Sequence, residues 1–153
     1  THETTHLCLE YLDSINLKGL SLIDYGCGSG ILGIAALLLG ADSVIAVDKD
    51  PQAIIATNKN AEINKVKKKM HVCTPEKLIN RDADILIANI IFNPLISLKE
   101  HLVNLVNSNG RIVLSGIMKK QLGELISNYG EYCSIKKIKG RNNWCLVELL
   151  KNC

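Results

Sequence analysis

The sequence predicts an α/β domain: a seven-stranded, mostly parallel sheet that ends in an antiparallel hairpin, with helices on both faces. Three observations predict it. Leu20-Ser21-Leu22-Ile23 runs directly into Asp24-Tyr25-Gly26-Cys27-Gly28-Ser29-Gly30, a glycine-rich turn that opens an apolar helical stretch. The next apolar run, Val44-Ile45-Ala46-Val47, ends in Asp48. Strand, glycine loop, helix, strand and acid make the βαβ unit that holds a ribose-bearing ligand. Third, the last part of the chain reads as two strands joined by the polar turn Lys139-Gly140-Arg141-Asn142-Asn143, a hairpin at a sheet edge.

The elements follow in order. Residues 4–15 form a helix with Leu7, Leu9, Tyr11, Leu12 and Ile15 apolar and Thr4 or Thr5 near its start, and Asn16-Leu17-Lys18-Gly19 ends it. Residues 20–25 are the first strand. The nearly all-apolar segment 31–39 is a helix that belongs in a core, and Gly40 stops it. The second strand spans 43–48. Asp50 as N-cap and Pro51 at the first helical position begin a helix through residue 63. Residues 70–73 form a short third strand and 75–79 a turn of helix. Residues 84–89 are apolar on both faces, as a central parallel strand must be. A helix over 94–106, a turn at Asn109-Gly110, a strand over 111–115, a helix over 118–129 and strands over 134–138 and 144–150 complete the chain.

At 153 residues the chain is long enough for one domain, 1–153, with a single buried core. Its net charge of +3 carries no strong nucleic-acid signal. Lys65, Lys67, Lys68 and Lys69 read as a solvated turn, with a polyanion contact as the alternative. Six cysteines show no C-x-x-C pair and sit mostly in apolar runs, which suggests buried thiols in a reducing cytosol. His2 and His6 form an i, i+4 pair, but nothing nearby completes a metal site, so no metal is expected. No signal peptide or membrane-spanning run is visible, and a cytoplasmic monomer is expected. The first residue is Thr rather than Met, which reads as a fragment or a processed chain.

The glycine loop sharpens the ligand class. Dinucleotide-binding loops read G-x-G-x-x-G, whereas here Ile31 stands where the last of those glycines would fall. The lysine of a phosphate-binding loop is also missing. The form acid-x-G-x-G-x-G resembles motif I of the class I S-adenosylmethionine-dependent methyltransferases, whose Rossmann-like sheet has the layout above. Such a loop faces the amino-acid end and ribose edge of S-adenosylmethionine. After the fourth strand, Asn89-Ile90-Ile91-Phe92 keeps the first and last positions of the N-P-P-[YF] element of amide and base methyltransferases and lacks both prolines. That class is disfavoured.

Thr1-His2-Glu3-Thr4-Thr5, Ala88-Asn89-Ile90 and Trp144, together with residues 24–30, resemble the bacterial ribosomal protein L11 methyltransferase family along essentially the whole chain. The resemblance implies a Rossmann-like catalytic domain that uses S-adenosylmethionine to methylate lysine and N-terminal amino groups of that ribosomal protein, its expected partner. Carried over by position, Thr5 contacts the cofactor, Gly26 lines its loop, Asp48 binds the ribose and Asn89 sits beside the methyl group as the catalytic residue. Gly28, Gly30 and Asp24 complete the loop wall, and fold geometry puts the adenine near Thr74-Pro75-Glu76. Two departures stand out: the family's separate N-terminal domain and linker, which grip the ribosomal protein, are absent from these residues, and Phe92 and Asn93 replace residues that are usually small.

Duller roles stay open beside these. Asp24 can simply brace the glycine turn, Asp48 can be a surface acid, Thr5 can be an N-cap and Asn89 a turn former. Phe92 is read as packing, Cys27 as a small residue that fits its loop, and Trp144 as an anchor in the core or edge strand. The alternative functions are a methyltransferase for a small molecule or an RNA base, and a cofactor-binding fragment without turnover of its own.

Overall fold

The computed structural model describes residues 2–78 and 81–152, so the expectations that rest on Thr1, Ile79 and Cys153 lie outside the described residues. One sheet contains β1 (Ser21–Tyr25), β2 (Ser43–Val47), β3 (Met70–Cys73), β4 (Ala83–Asn89), β5 (Val106–Met118), β6 (Cys133–Arg141) and β7 (Trp144–Lys151). Its spatial order is β3-β2-β1-β4-β5-β7-β6. β1 to β5 pair in parallel, and β7 is antiparallel to both β5 and β6. The order reverses between β1 and β4, which opens a crevice beyond the carboxyl ends of those strands.

Strand alternation sends neighbouring side chains to opposite faces, and each face is covered by its own helices. Leu22, Val44, Ile85 and Ile87 pack with α1 (His2–Ser14), α2 (Ile31–Leu38) and α3 (Pro51–Ile63). Ile23, Tyr25, Val47, Leu86 and Ala88 pack with α4 (Phe92–Ser97), α5 (Lys99–Val103) and α6 (Leu122–Tyr129). Ile85 to Ala88 of β4 are at most 1% exposed, which agrees with a central strand covered on both sides. Each fully buried aliphatic side chain of this kind stabilises the fold by about 1.5–3 kcal/mol.

Several boundaries differ from expectation. The helix expected over 94–106 is two short helices that meet at Leu98, and its last residue, Val106, is already strand, paired with Ala83. Residues 107–110 form an irregularity opposite Asp84, with Asn109 at φ +66°, so the Asn109-Gly110 turn interrupts β5 and does not precede it. β5 runs on past the expected residue 115 to Met118, and a 3-10 turn, Lys119–Gln121, precedes α6. α2 is buried around most of its circumference, but Ile31 and Leu38 share one open strip and are 48% and 62% exposed. Asp50 caps α3 as expected, its Oδ1 accepting from Gln52 N at 3.0 Å. Thr5 lies inside α1, which overturns the N-cap reading, and Asn89 is the last residue of β4 and not a turn former.

The five described cysteines are buried and free. Among the described residues, no helix is long and apolar enough to cross a membrane.

Candidate cofactor site at the carboxyl ends of β1, β2 and β4

The loop from Gly26 to Gly30 is held from three sides. Across β2, Val47 O accepts from both Gly26 N (2.7 Å) and Cys27 N (2.9 Å). At the end of β2, Asp48 Oδ2 accepts from Gly28 N at 3.0 Å and Oδ1 accepts from Asp50 N at 3.0 Å. From α3, Thr57 Oγ1 donates to Gly28 O (2.9 Å) and Asn60 Nδ2 donates to Ser29 O (2.8 Å). Thr57 and Asn60 are three residues apart, so they lie on one helix face and meet consecutive carbonyls.

Two glycines in the loop have distinct geometric reasons. Gly26 has φ +78°, and a Cβ there would fall 2.4 Å from Ile90 Cγ2. Gly28 also has positive φ (+56°), but an added Cβ would meet nothing within 4 Å. The loop is therefore closed towards the β4 side at Gly26 and open at Gly28.

Asp24 lies beneath the loop at 1% exposure, and its Oδ2 accepts from Gly33 N at 3.0 Å. Burial pushes its carboxyl up to about 7; the Gly33 amide opposes the shift and the nearby Asp48 charge adds to it. This geometry matches the bracing role weighed above. Cys27 is buried with its Sγ 3.3 Å from Thr57 Oγ1, and burial pushes its thiol up to about 12, which makes it a poor nucleophile.

Beside the loop lies a cavity of about 870 Å³. Gly26, Val47, Asp48 and Lys49 line one side, Pro75 a second, and Ile90, Ile91, Pro94 and Leu98 the far wall, with Tyr25 between them. Of the expected site residues, Gly26 and Asp48 line the cavity directly. Gly28 is tied to Asp48, Gly30 caps α2, and Asp24 is underneath. Thr5 and Asn89 meet each other at the end of β4, Asn89 Nδ2 lying 3.5 Å from Thr5 Oγ1. Pro75 stands where the adenine was expected, and Phe92, the first residue of α4, packs against the core, in line with its reading as packing. Trp144 is half-buried against the α1–α3 side of the core.

Tyr25, Thr57 and Asn60 were not singled out from the sequence. The alternation of β1 could have shown Tyr25 facing away from Asp24. The two α3 residues carry no signal until the helix is placed beside the loop.

The residues fit an S-adenosyl ligand. Each Asp48 oxygen accepts one backbone N–H and retains a second lone pair for a ribose hydroxyl. The open side of Gly28 lets a ligand approach backbone, and the cavity is large enough for a small-molecule cofactor. Among the described residues, no cluster of metal-ligating side chains is present.

Comparison with known proteins agrees with this geometry. A structure of ribosomal protein L11 methylase from Lactobacillus delbrueckii subsp. bulgaricus superposes with TM-score 0.92 at 29% identity, covering 100% of this chain and 80% of that one. The M. jannaschii tRNA m1G37 methyltransferase superposes with TM-score 0.83 at 16% identity, covering 97% of this chain and 49% of that one, a likeness of fold alone. The sheet is thus the Rossmann-like sheet of class I methyltransferases. The ribosomal protein L11 methyltransferase of Methylococcus capsulatus is 54% identical over 84% of this chain and 44% of its own length. That of Tolumonas auensis is 45% identical over 99% of this chain and 52% of its own length. The chain therefore spans about half the length of the curated relatives it matches. The family profile described as "Ribosomal protein L11 methyltransferase (PrmA)" matches residues 1–152, and the chain belongs to that family.

Proposed function

We propose that these residues form the S-adenosylmethionine-binding catalytic half of an amino-group N-methyltransferase whose protein substrate is ribosomal protein L11. The observation that carries the reading is Asp48: its carboxylate ties the glycine loop to the end of β2 at the rim of the cavity, with lone pairs left for a ribose. The family match supports the acceptor. A role in modifying a ribosomal protein points to the cytoplasm, and the chain acts as a monomer without a metal.

S-adenosylmethionine, when bound, supplies an electrophilic methyl group. The chain's residues align and desolvate the acceptor. Gly26, Gly28 and Gly30 shape the wall for the amino-acid end, with Asp24 bracing it from below, and Asp48 takes the ribose. Thr5 and Asn89, which meet at the end of β4, would face the methyl group.

An amine must be neutral to attack, and a free lysine with a pKa of about 10.4 costs about 4–5 kcal/mol to deprotonate at pH 7. Ile90 and Ile91, which line the cavity, lower that cost by disfavouring the ammonium form. Asn89 donates through its amide nitrogen to Thr5, so its amide oxygen is the atom that accepts from the amine and orients it. No general base is assigned.

Calorimetric titration with S-adenosylhomocysteine tests the cofactor class. Micromolar binding that Asp48→Ala abolishes, with NAD silent, is the expected result. NAD binding in its place would overturn the reading. Methyl transfer to ribosomal protein L11 then tests the acceptor, and Asn89→Ala at full turnover would remove Asn89 from the mechanism.

A further inference from the structure

Tyr25 is the buried residue of the glycine-loop motif whose side chain has no assigned task. It closes β1, and strand alternation sends its ring to the α4–α6 face, opposite to Asp24. The ring is 6% exposed and meets His101 of α5 edge-on, with centroids 5.7 Å apart and planes at 74°. It also lines the cavity. Among the described residues its hydroxyl makes no hydrogen bond, nor is the oxygen sealed in as an unsatisfied buried atom. A tyrosine buried to this extent ordinarily finds a partner for its hydroxyl. The other buried tyrosines do: Tyr11 donates to Glu148 Oε2 (2.5 Å) and Tyr129 to Leu95 O (2.6 Å). Burial pushes the Tyr25 phenol above its usual range, so it keeps its proton near neutral pH and stays a donor.

The position of this hydroxyl selects its ligand. With a ribose at Asp48 and the amino-acid end over the loop, the base would extend the other way, past Val47, Lys49 and Pro75, which line the cavity. Tyr25 lines the same cavity and is the register partner of Val47, the last residue of β2, so it stands beside that path. Thr5 and Asn89, at the acceptor end, come from the opposite face of the sheet: Asn89 follows Ala88 in β4, and Thr5 belongs to α1.

We infer that the Tyr25 hydroxyl hydrogen-bonds the edge of the cofactor's purine base and adds to the site's preference for an adenosyl ligand, an inference that rests on the S-adenosylmethionine reading above. Tyr25→Phe removes one oxygen and no hydrogen bond to the described residues, so the variant is expected to melt with the parent. The test is calorimetric titration of parent and Tyr25→Phe with S-adenosylhomocysteine and with 5′-methylthioadenosine, which keeps base and ribose and lacks the amino-acid end. A weakening of about 5- to 10-fold, equal for the two ligands, is expected from loss of one hydrogen bond. Unchanged affinity for both overturns the inference and leaves the cofactor reading intact. A loss confined to S-adenosylhomocysteine also overturns it, by moving the contact to the amino-acid end. A parent chain that binds neither ligand overturns both.

Discussion

Asp24→Asn separates the stability of this fold from the charge that its glycine loop carries. The Asp24 carboxyl is 1% exposed, has one backbone amide donor at 3.0 Å and feels the Asp48 charge. Its pKa rises from 3.8 to about 7. The folded state therefore holds a proton that the unfolded chain releases, across the window between those two values. Stability from this group is greatest below the unfolded value, falls as pH rises through the window, and is gone above about pH 7. At about 1.36 kcal/mol per pKa unit the full effect is about 4 kcal/mol, and roughly 3 kcal/mol of it falls between pH 5 and pH 8. Asparagine does not titrate, and its amide oxygen can still accept from Gly33 N. The cost of its extra N–H donors is independent of pH. Urea unfolding of both proteins at pH 5, 6, 7 and 8 reads the difference directly. Asp24→Asn is expected to gain roughly 3 kcal/mol on the parent from the acid end to the alkaline end. A difference that stays flat to within about 0.5 kcal/mol would show an ordinary, ionised Asp24 and refute the reasoning. Under the proposed function, a cationic ligand above the loop offsets the cost of the ionised form, which accounts for an acid at a position where the fold alone favours a neutral side chain.

Two further predictions concern the loop. Thr57→Val keeps the shape of the side chain but leaves Gly28 O without its 2.9 Å donor; it is expected to destabilise the chain by about 1–2 kcal/mol and to weaken S-adenosylhomocysteine binding, with Thr57→Ser restoring both in melting and titration experiments. Gly26→Ala combines φ +78° with a Cβ placed 2.4 Å from Ile90 Cγ2, so a loss of about 2–3 kcal/mol is expected in urea unfolding; adding Ile90→Ala should remove the steric part of the coupling and leave the backbone strain.

Most of the architecture was legible because its signals are local. Asp50 and Pro51 mark a helix start, Gly40 marks a stop, and the apolar run in β4 can only be a strand covered on both faces. The errors arose where a local signal yields to pairing. Asn109-Gly110 has the composition of a turn, yet Val106 gains a partner in Ala83, and the turn becomes an interruption within β5. The helix expected from residue 94 begins at Phe92, with Pro94 in its first turn, where a missing N–H costs nothing.

The site divides in the same way. Asp48 and the glycines were readable from spacing along the chain. Tyr25, Thr57 and Asn60 draw their importance from elements folded against them, and Asp24 was left between two roles until its burial was known.

The arrangement of the sheet also dictates when the two halves of the site can exist. The glycine loop, Asp48 and α3 come from one short stretch of chain, and their contacts close small loops. Thr5 depends on α1, which rests on β7: Tyr11 reaches Glu148 across 137 positions. β7, the last strand in the chain, fills an interior slot between β5 and β6, so the sheet has a gap until it arrives. Contacts this distant in sequence carry the largest closure entropy and form late. The ribose end of the site can therefore mature early in folding, while the end that meets the acceptor waits for the last strand to seat the first helix.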